Sequence, residues 1–183
     1  MKNLCTGMIC LFYFILMASS QSLTTEKINF HNWEQGTQLL CQNEHDQLLL
    51  PVRNFKDKVH KTAVKLGQIN GQFFRLESKA RTLNIKTMEG EALALTTPDR
   101  TEVQIGGRTF FKQRKAFRNR LEYVDKQGLV VVTGDFFKGR ITITSEHATE
   151  PGMELLMLIC FEEMIRRVEE IKHPASMTFY WPG

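Results

Sequence analysis

The sequence predicts a mainly β (α+β) domain: an antiparallel sheet of ten or more short strands, closed around one hydrophobic helix near the C-terminus. Three observations carry that expectation. Residues 153–161 read Met-Glu-Leu-Leu-Met-Leu-Ile-Cys-Phe, with Glu154 as the sole charge. At about 100° per residue, Leu155, Leu156, Leu158, Ile159 and Phe161 point in every direction, and a helix that is apolar all round has to be surrounded. Upstream, short alternating apolar–polar segments are separated by Gly, Pro, Asp and Asn turn signals. A sheet of that many strands tends to curl, and closing it around the helix buries the helix and removes exposed edges.

The elements follow in chain order. Lys2 precedes an apolar run over residues 4–18 that ends in the small residues Ala18, Ser19 and Ser20. This is the pattern of a signal peptide over residues 1–20, too short for a membrane span, and it predicts a secreted or exported product. An uncleaved N-terminal anchor and a cytoplasmic product started at Met17 are the alternatives. Residues 21–36 are polar, with Ile28, Phe30 and Trp33 scattered among them, and read as a linker. Residues 37–183 read as one domain, a length that supports a sizeable core. Segments 39–41 and 48–52 are short strands, the second ended or placed at an edge by Pro51. Residues 54–61 are a charged turn or short helix.

From Thr62 the pattern is β. Leu83 and Ile85 alternate with polar neighbours, Met88-Glu89-Gly90-Glu91 makes a hairpin, and residues 92–95 return. Pro98-Asp99 and Gly106-Gly107 are turns on either side of Val103 and Ile105. Leu121 and Tyr123 lead to the turn Asp125-Lys126-Gln127-Gly128, then to a buried strand over 129–132 and to Ile141 and Ile143. Phe73-Phe74-Arg75, Phe110-Phe111-Lys112 and Phe136-Phe137-Lys138 share one pattern and read as an internal repeat. In a strand, one Phe of each pair faces the core and the other faces out. The helix spans about residues 151–172, with Pro151 in its first turn and Thr149 or Glu150 as cap. Beyond Phe161, Met164, Ile165, Val168 and Ile171 continue a one-sided stripe. Glu162, Glu163, Arg166 and Arg167 read as its solvated faces, so Glu163→Ala is expected to change stability little.

This arrangement resembles the tubby C-terminal-like superfamily, which includes tubby domains, phospholipid scramblases, LURP-one-related proteins and small bacterial relatives. The resemblance lies in the meander from Gly71-Gln72-Phe73-Phe74 to Leu95, in Leu121-Glu122-Tyr123-Val124-Asp125-Lys126-Gln127-Gly128, in Gly134-Asp135-Phe136-Phe137-Lys138-Gly139-Arg140-Ile141-Thr142-Ile143, and in the helix from Met153. It covers about residues 48–172 and implies a closed antiparallel barrel of about twelve strands threaded by the helix. The size is that of the small bacterial- and plant-like members. The tubby C-terminal signature, the scramblase proline-rich leader and its cysteine cluster are absent, so no phosphoinositide ligand is carried over.

Composition bounds the function. A hydrophobic content of 42% excludes wholesale disorder, and a net charge of +4 does not by itself mark a nucleic-acid binder. Cys5 and Cys10 would leave with the leader, and Cys41 and Cys160 are too few for a disulfide framework. His31, His45, His60, His147 and His173 lack metal-ligand spacing, and Glu44-His45-Asp46 stands without a nearby partner, so no metal or cofactor is expected. Ser145-Glu146-His147 puts hydroxyl, acid and base in one stretch, but triads are assembled from distant segments, and a polar loop before the helix is the plainer reading. Neither a Gly-x-Ser-x-Gly nucleophile motif nor a phosphate-binding loop is present.

One feature is uneven. Residues 112–120 carry Lys112, Arg114, Lys115, Arg118 and Arg120 around Phe117, without an acid. Such a run meets phosphate-bearing surfaces, anionic lipid ahead of nucleic acid, while the ring enters the interface. The leading expectation is a non-enzymatic barrel module that binds anionic phospholipid or another phosphate-bearing surface through this basic hairpin. The alternatives are a structural or protein-interaction domain whose basic run is only solvated, and an enzyme with a pocket at one end of the barrel.

Overall fold

The computed structural model describes residues 21–25, 38–42, 47–51, 62–69, 71–79, 82–113 and 119–172. Among them lie twelve strands: β1 (Gln21–Thr25), β2 (Gln38–Gln42), β3 (Gln47–Pro51), β4 (Thr62–Ile69), β5 (Gln72–Lys79), β6 (Thr82–Lys86), β7 (Ala92–Thr96), β8 (Glu102–Ile105), β9 (Arg108–Gln113), β10 (Arg120–Val124), β11 (Val130–Phe137) and β12 (Arg140–Ser145). One helix, α1, spans Met153–Lys172. The fold is mainly β, and every strand pair is antiparallel. Consecutive strands from β2 to β12 are neighbours, and β1 lies against β12 from Gln21↔Ser145 to Thr24↔Thr142. β1 also meets β2 over a short seam, Thr24↔Gln42 and Thr25↔Cys41.

Two expectations are corrected near the ends of the chain. The linker expected over residues 21–36 begins with a strand, β1. Its polar Ser and Thr content hides a two-residue alternation in which Leu23 and Thr25 face inward and are buried. Thr25 Oγ1 accepts the Ile141 amide at 2.9 Å, so a side chain satisfies a backbone donor where β1 meets β12. Residues 26–36 and 54–61 lie outside the described residues, as does the leader. At the other end, α1 starts at Met153 rather than at 151. Gly152 has φ 82, a left-handed value that cannot continue a helix, and its carbonyl accepts the Leu156 amide. A Cβ on Gly152 would lie 2.6 Å from Ile105 Cγ2, so space as well as φ requires glycine there.

The alternation read from the sequence places the core. Leu83, Ile85, Val103, Ile105, Phe110, Leu121, Tyr123, Val132, Ile141 and Ile143 are buried, and α1 packs among β3, β4, β8, β10, β11 and β12. Contact with strands so far apart in the order means that the sheet curls round the helix. Leu129 is a correction: it is half exposed in the β10–β11 turn, with its amide on Asp125 Oδ1, and β11 begins one residue later. Each Phe pair does straddle its strand, but in different phase. Phe74 and Phe110 are buried while Phe73 and Phe137 are exposed, so the inward residue comes second in β5 and first in β9 and β11. The three pairs therefore do not occupy equivalent positions.

Helix and sheet come close together at Gly134 in β11. A Cβ there would sit 2.8 Å from both Cys160 Sγ and Met164 Cγ. No described helix is long and apolar enough to cross a membrane.

Two outcomes follow from this packing. Leu156→Asp or Ile159→Asp places an unpaired charge at a fully buried position and should prevent folding, read as loss of soluble protein and of a cooperative melt. Gly134→Ala should fold but cost about 1–3 kcal/mol in chemical denaturation, because α1 must shift to admit one methyl group.

Candidate functional site

Two residues of the helix faces expected to be solvated are buried, while Arg166 and Arg167 are part-exposed. Glu162 and Glu163 are 1% and 0% exposed. Glu163 lies three residues beyond Cys160 and four beyond Ile159, which puts its carboxylate on a face of α1 that looks into the sheet. Lys112 follows Phe110 by two positions in β9 and so shares its inward face. Its Nζ is 3.1 Å from Glu163 Oε2, and its side chain is only 6% exposed. Arg166 Nη2 reaches the same oxygen at 3.1 Å. The other oxygen, Oε1, accepts from Arg100 Nη1 at 2.6 Å.

Arg100 is delivered by the β7–β8 turn. Asp99 accepts from the Thr97 hydroxyl at 2.7 Å and from the Thr101 amide and hydroxyl at 3.2 and 2.8 Å. These bonds hold the Asp99 carboxyl down at about 2. Arg100 then takes φ 55, uncommon for a residue with a Cβ, and donates its amide to the Thr97 carbonyl. Burial by itself would raise the Glu163 carboxyl, but Lys112, Arg166 and Arg100 outweigh it and hold it at about 2. Burial likewise lowers Lys112, and Glu163 opposes that shift. Tyr123, opposite Lys112 across the β9–β10 ladder, is fully buried. Its phenol is pushed well up, by burial first and by the Glu163 charge second.

This cluster redistributes the basic run. Lys112 is corrected: its ammonium is spent on Glu163 inside the sheet and does not belong to an exposed patch. Sequence reasoning took the five bases as one surface, whereas strand alternation turns Lys112 inward. Arg120, at the start of β10, is nearly half exposed, with Nε on Glu122 Oε1 at 2.9 Å and Nη1 3.8 Å from Asp135. Its carbonyl accepts from Arg167 Nη1 at 2.8 Å. Both stems of the β9–β10 connection are thus held by α1, one through Glu163 and one through Arg167. Arg114, Lys115, Phe117 and Arg118 lie outside the described residues.

The remaining chemical candidates resolve simply. Ser145 donates its hydroxyl to the Val131 carbonyl at 2.9 Å and accepts the His147 amide. The His147 ring bonds Glu150 at 2.9 Å, and Glu150 bridges to Arg108 at 2.8 Å. The Ser145 hydroxyl is thus engaged by backbone, at the end of β12, and the His147 ring by Glu150, so the two side chains do not bond to each other. Burial pushes the Cys41 thiol up to about 12 and the Cys160 thiol higher still, so both remain protonated, inert core groups. Among the described residues no group of three or more His, Cys, Asp or Glu side chains is placed to hold a metal; Glu44-His45-Asp46 lies outside them. Comparison with protein-family models, curated proteins and solved structures finds no match.

The cluster makes stability acid-sensitive with a defined sign. Glu163 has a folded value of about 2 against an ordinary 4.5, so its contribution is complete above about 4.5 and is lost as pH falls toward 2. The span is worth on the order of 3 kcal/mol. Urea unfolding of the parent should weaken through that window, and Glu163→Gln should flatten the dependence. Glu163→Ala leaves Arg100 and Lys112 without their shared anion and should cost about 3–5 kcal/mol at neutral pH. A loss within 0.5 kcal/mol would mean that the cluster is solvated.

Proposed function

We propose that this chain is a non-enzymatic binding module of the tubby C-terminal-like kind, a closed antiparallel barrel around α1, and that Arg114, Lys115 and Arg118, with Phe117, meet an anionic phospholipid surface. The observation that carries the reading is the double attachment of the β9–β10 stems to α1, Lys112 to Glu163 and the Arg120 carbonyl to Arg167. It holds the ends of a segment bearing Arg114, Lys115 and Arg118, with Phe117 among them. α1 packs among the strands of the sheet, and the contact proposed lies on the rim. Passage through a secretory leader over residues 1–20 would put this surface outside the cytosol.

Three bases, rather than five, set the strength. At about 1 kcal/mol each near an anionic bilayer, they give weak, salt-sensitive recruitment. Flotation with phosphatidylcholine vesicles, with and without phosphatidylserine, tests this. Binding should require phosphatidylserine, fade as ionic strength rises and the Debye length falls to about 8 Å, and vanish in Arg114→Glu/Arg118→Glu at unchanged melting temperature. A parent that floats with neither vesicle favours a structural or protein-interaction domain. A parent that prefers a short oligonucleotide at equal salt favours nucleic acid.

A further inference from the structure

We infer that the β11–β12 hairpin tip, Phe137-Lys138-Gly139-Arg140, is a second membrane contact, an aromatic wedge that enters the headgroup–acyl boundary of an anionic bilayer beside the basic connection. The inference rests on the lipid-surface reading above and names a contact outside residues 112–120.

The tip is a two-residue turn. Phe137 pairs with Arg140, and between them Lys138 and Gly139 take φ 50 and φ 82. Positive φ at both central positions defines the tight hairpin turn whose twist matches the strands. Gly, Asn or Asp would normally occupy the first of them, and a lysine there carries backbone strain in return for a cation at the apex. Phe137 is 67% exposed, more than any other large apolar side chain described. Lys138 Nζ stands 5.2 Å from its ring centroid, and Arg140 is exposed across the pair. One aromatic ring is therefore bracketed by two cations, the composition that suits an interface with an apolar interior and anionic headgroups.

Position supports the same conclusion. β9 and β11 run in the same direction, so the β9–β10 connection and the β11–β12 turn emerge at one end of the sheet, opposite the end where α1 begins. The two are joined at their bases: the Phe136 amide donates to the Asn119 carbonyl at 2.8 Å, and Arg120 faces Asp135. A single exposed apolar residue is ordinary, and the opposite end has three: Met88, Leu129 and, at the start of β5, Phe73. Met88 sits in a turn with Glu89 and Glu91, whose charge an anionic surface would repel; the Leu129 turn offsets Lys126 with Asp125, and Phe73 follows Gln72 and faces Gln68 across the ladder. Among the described turns, Phe137 is the exposed apolar residue whose neighbours attract such a surface. Lys138 over one face of the ring also obstructs base stacking there, which favours lipid over nucleic acid.

The full chain and three variants test the tip on phosphatidylserine–phosphatidylcholine vesicles. Phe137→Ala should fold like the parent and lower vesicle partitioning about tenfold, the loss of one partly inserted ring. Phe137→Trp should keep binding. Its emission, taken as the difference from the parent because Trp33 and Trp181 also emit, should shift to the blue on vesicles and be quenched by brominated acyl chains. Parent-like partitioning of Phe137→Ala, with Arg114→Glu/Arg118→Glu still abolishing it, overturns the wedge and leaves the basic-surface reading standing. Failure of the parent to bind any vesicle overturns both. A difference emission that shifts with an oligonucleotide and not with vesicles overturns the wedge in favour of base stacking.

Discussion

A carboxylate withdrawn from water must be matched by donors, and Glu163 is matched by three cations from three parts of the chain. Arg100 comes from a turn between strands, Lys112 from a strand face and Arg166 from the next turn of the same helix. The desolvation of such groups is costly, and an apolar set of equal volume could stabilise the fold as well. What the ions add is geometry. Because Oε1 takes Arg100 while Oε2 takes Lys112 and Arg166, the carboxylate fixes how far α1 enters the sheet and how it is rotated. The Asp99-centred turn and the left-handed Arg100 backbone serve that arrangement, since without them the guanidinium would not reach inward.

The apolar half of α1 supplies the complementary constraint. Its side chains lie in the space that the curled sheet encloses, and at Gly134 and Gly152 strand or loop backbone comes too close for a Cβ. The helix is thus held by shape ahead of its start and at mid-length, where the charged contacts of Glu163 lie between the two side chains that press on Gly134. Inward threonines complete the hydrogen bonding where ladder partners are lacking: Thr25 accepts from Ile141, and Thr96 from Leu83. β1, joined to β2 by a seam of two residue pairs, depends on such side-chain bonds more than the longer ladders do.

Strand alternation then sorts the charges. The end at which α1 begins gathers Glu89, Glu91, Asp125, Glu146 and Glu150 against Arg108 and Lys126, whereas the other end carries Arg120, Lys138, Arg140, Arg166 and Arg167 against Asp99 and Asp135. The mild net charge of the chain conceals this polarity, because bases remote in sequence meet only when successive strands return them to the same rim. A surface of opposite sign would orient the molecule through such a field as well as hold it.

The sequence alone determined the elements. Period-two alternation and turn residues located the strands from Leu83 to Ile143, and the apolar run from Met153 identified a helix that had to be surrounded, because those signals are local and set by the backbone. It missed β1, whose five residues are too short and too rich in Ser and Thr for periodicity to stand out, and it extended α1 to Pro151 and a strand to Leu129. The larger misreading was of charge. Glu163 and Lys112 looked solvated by type, although each is in phase with apolar neighbours, Ile159 and Cys160 in one case and Phe110 in the other. That phase was the available signal. Only the tertiary structure decided that the two phases face each other, since an ion pair across 51 positions of chain arises from how strand and helix pack and from nothing local to either.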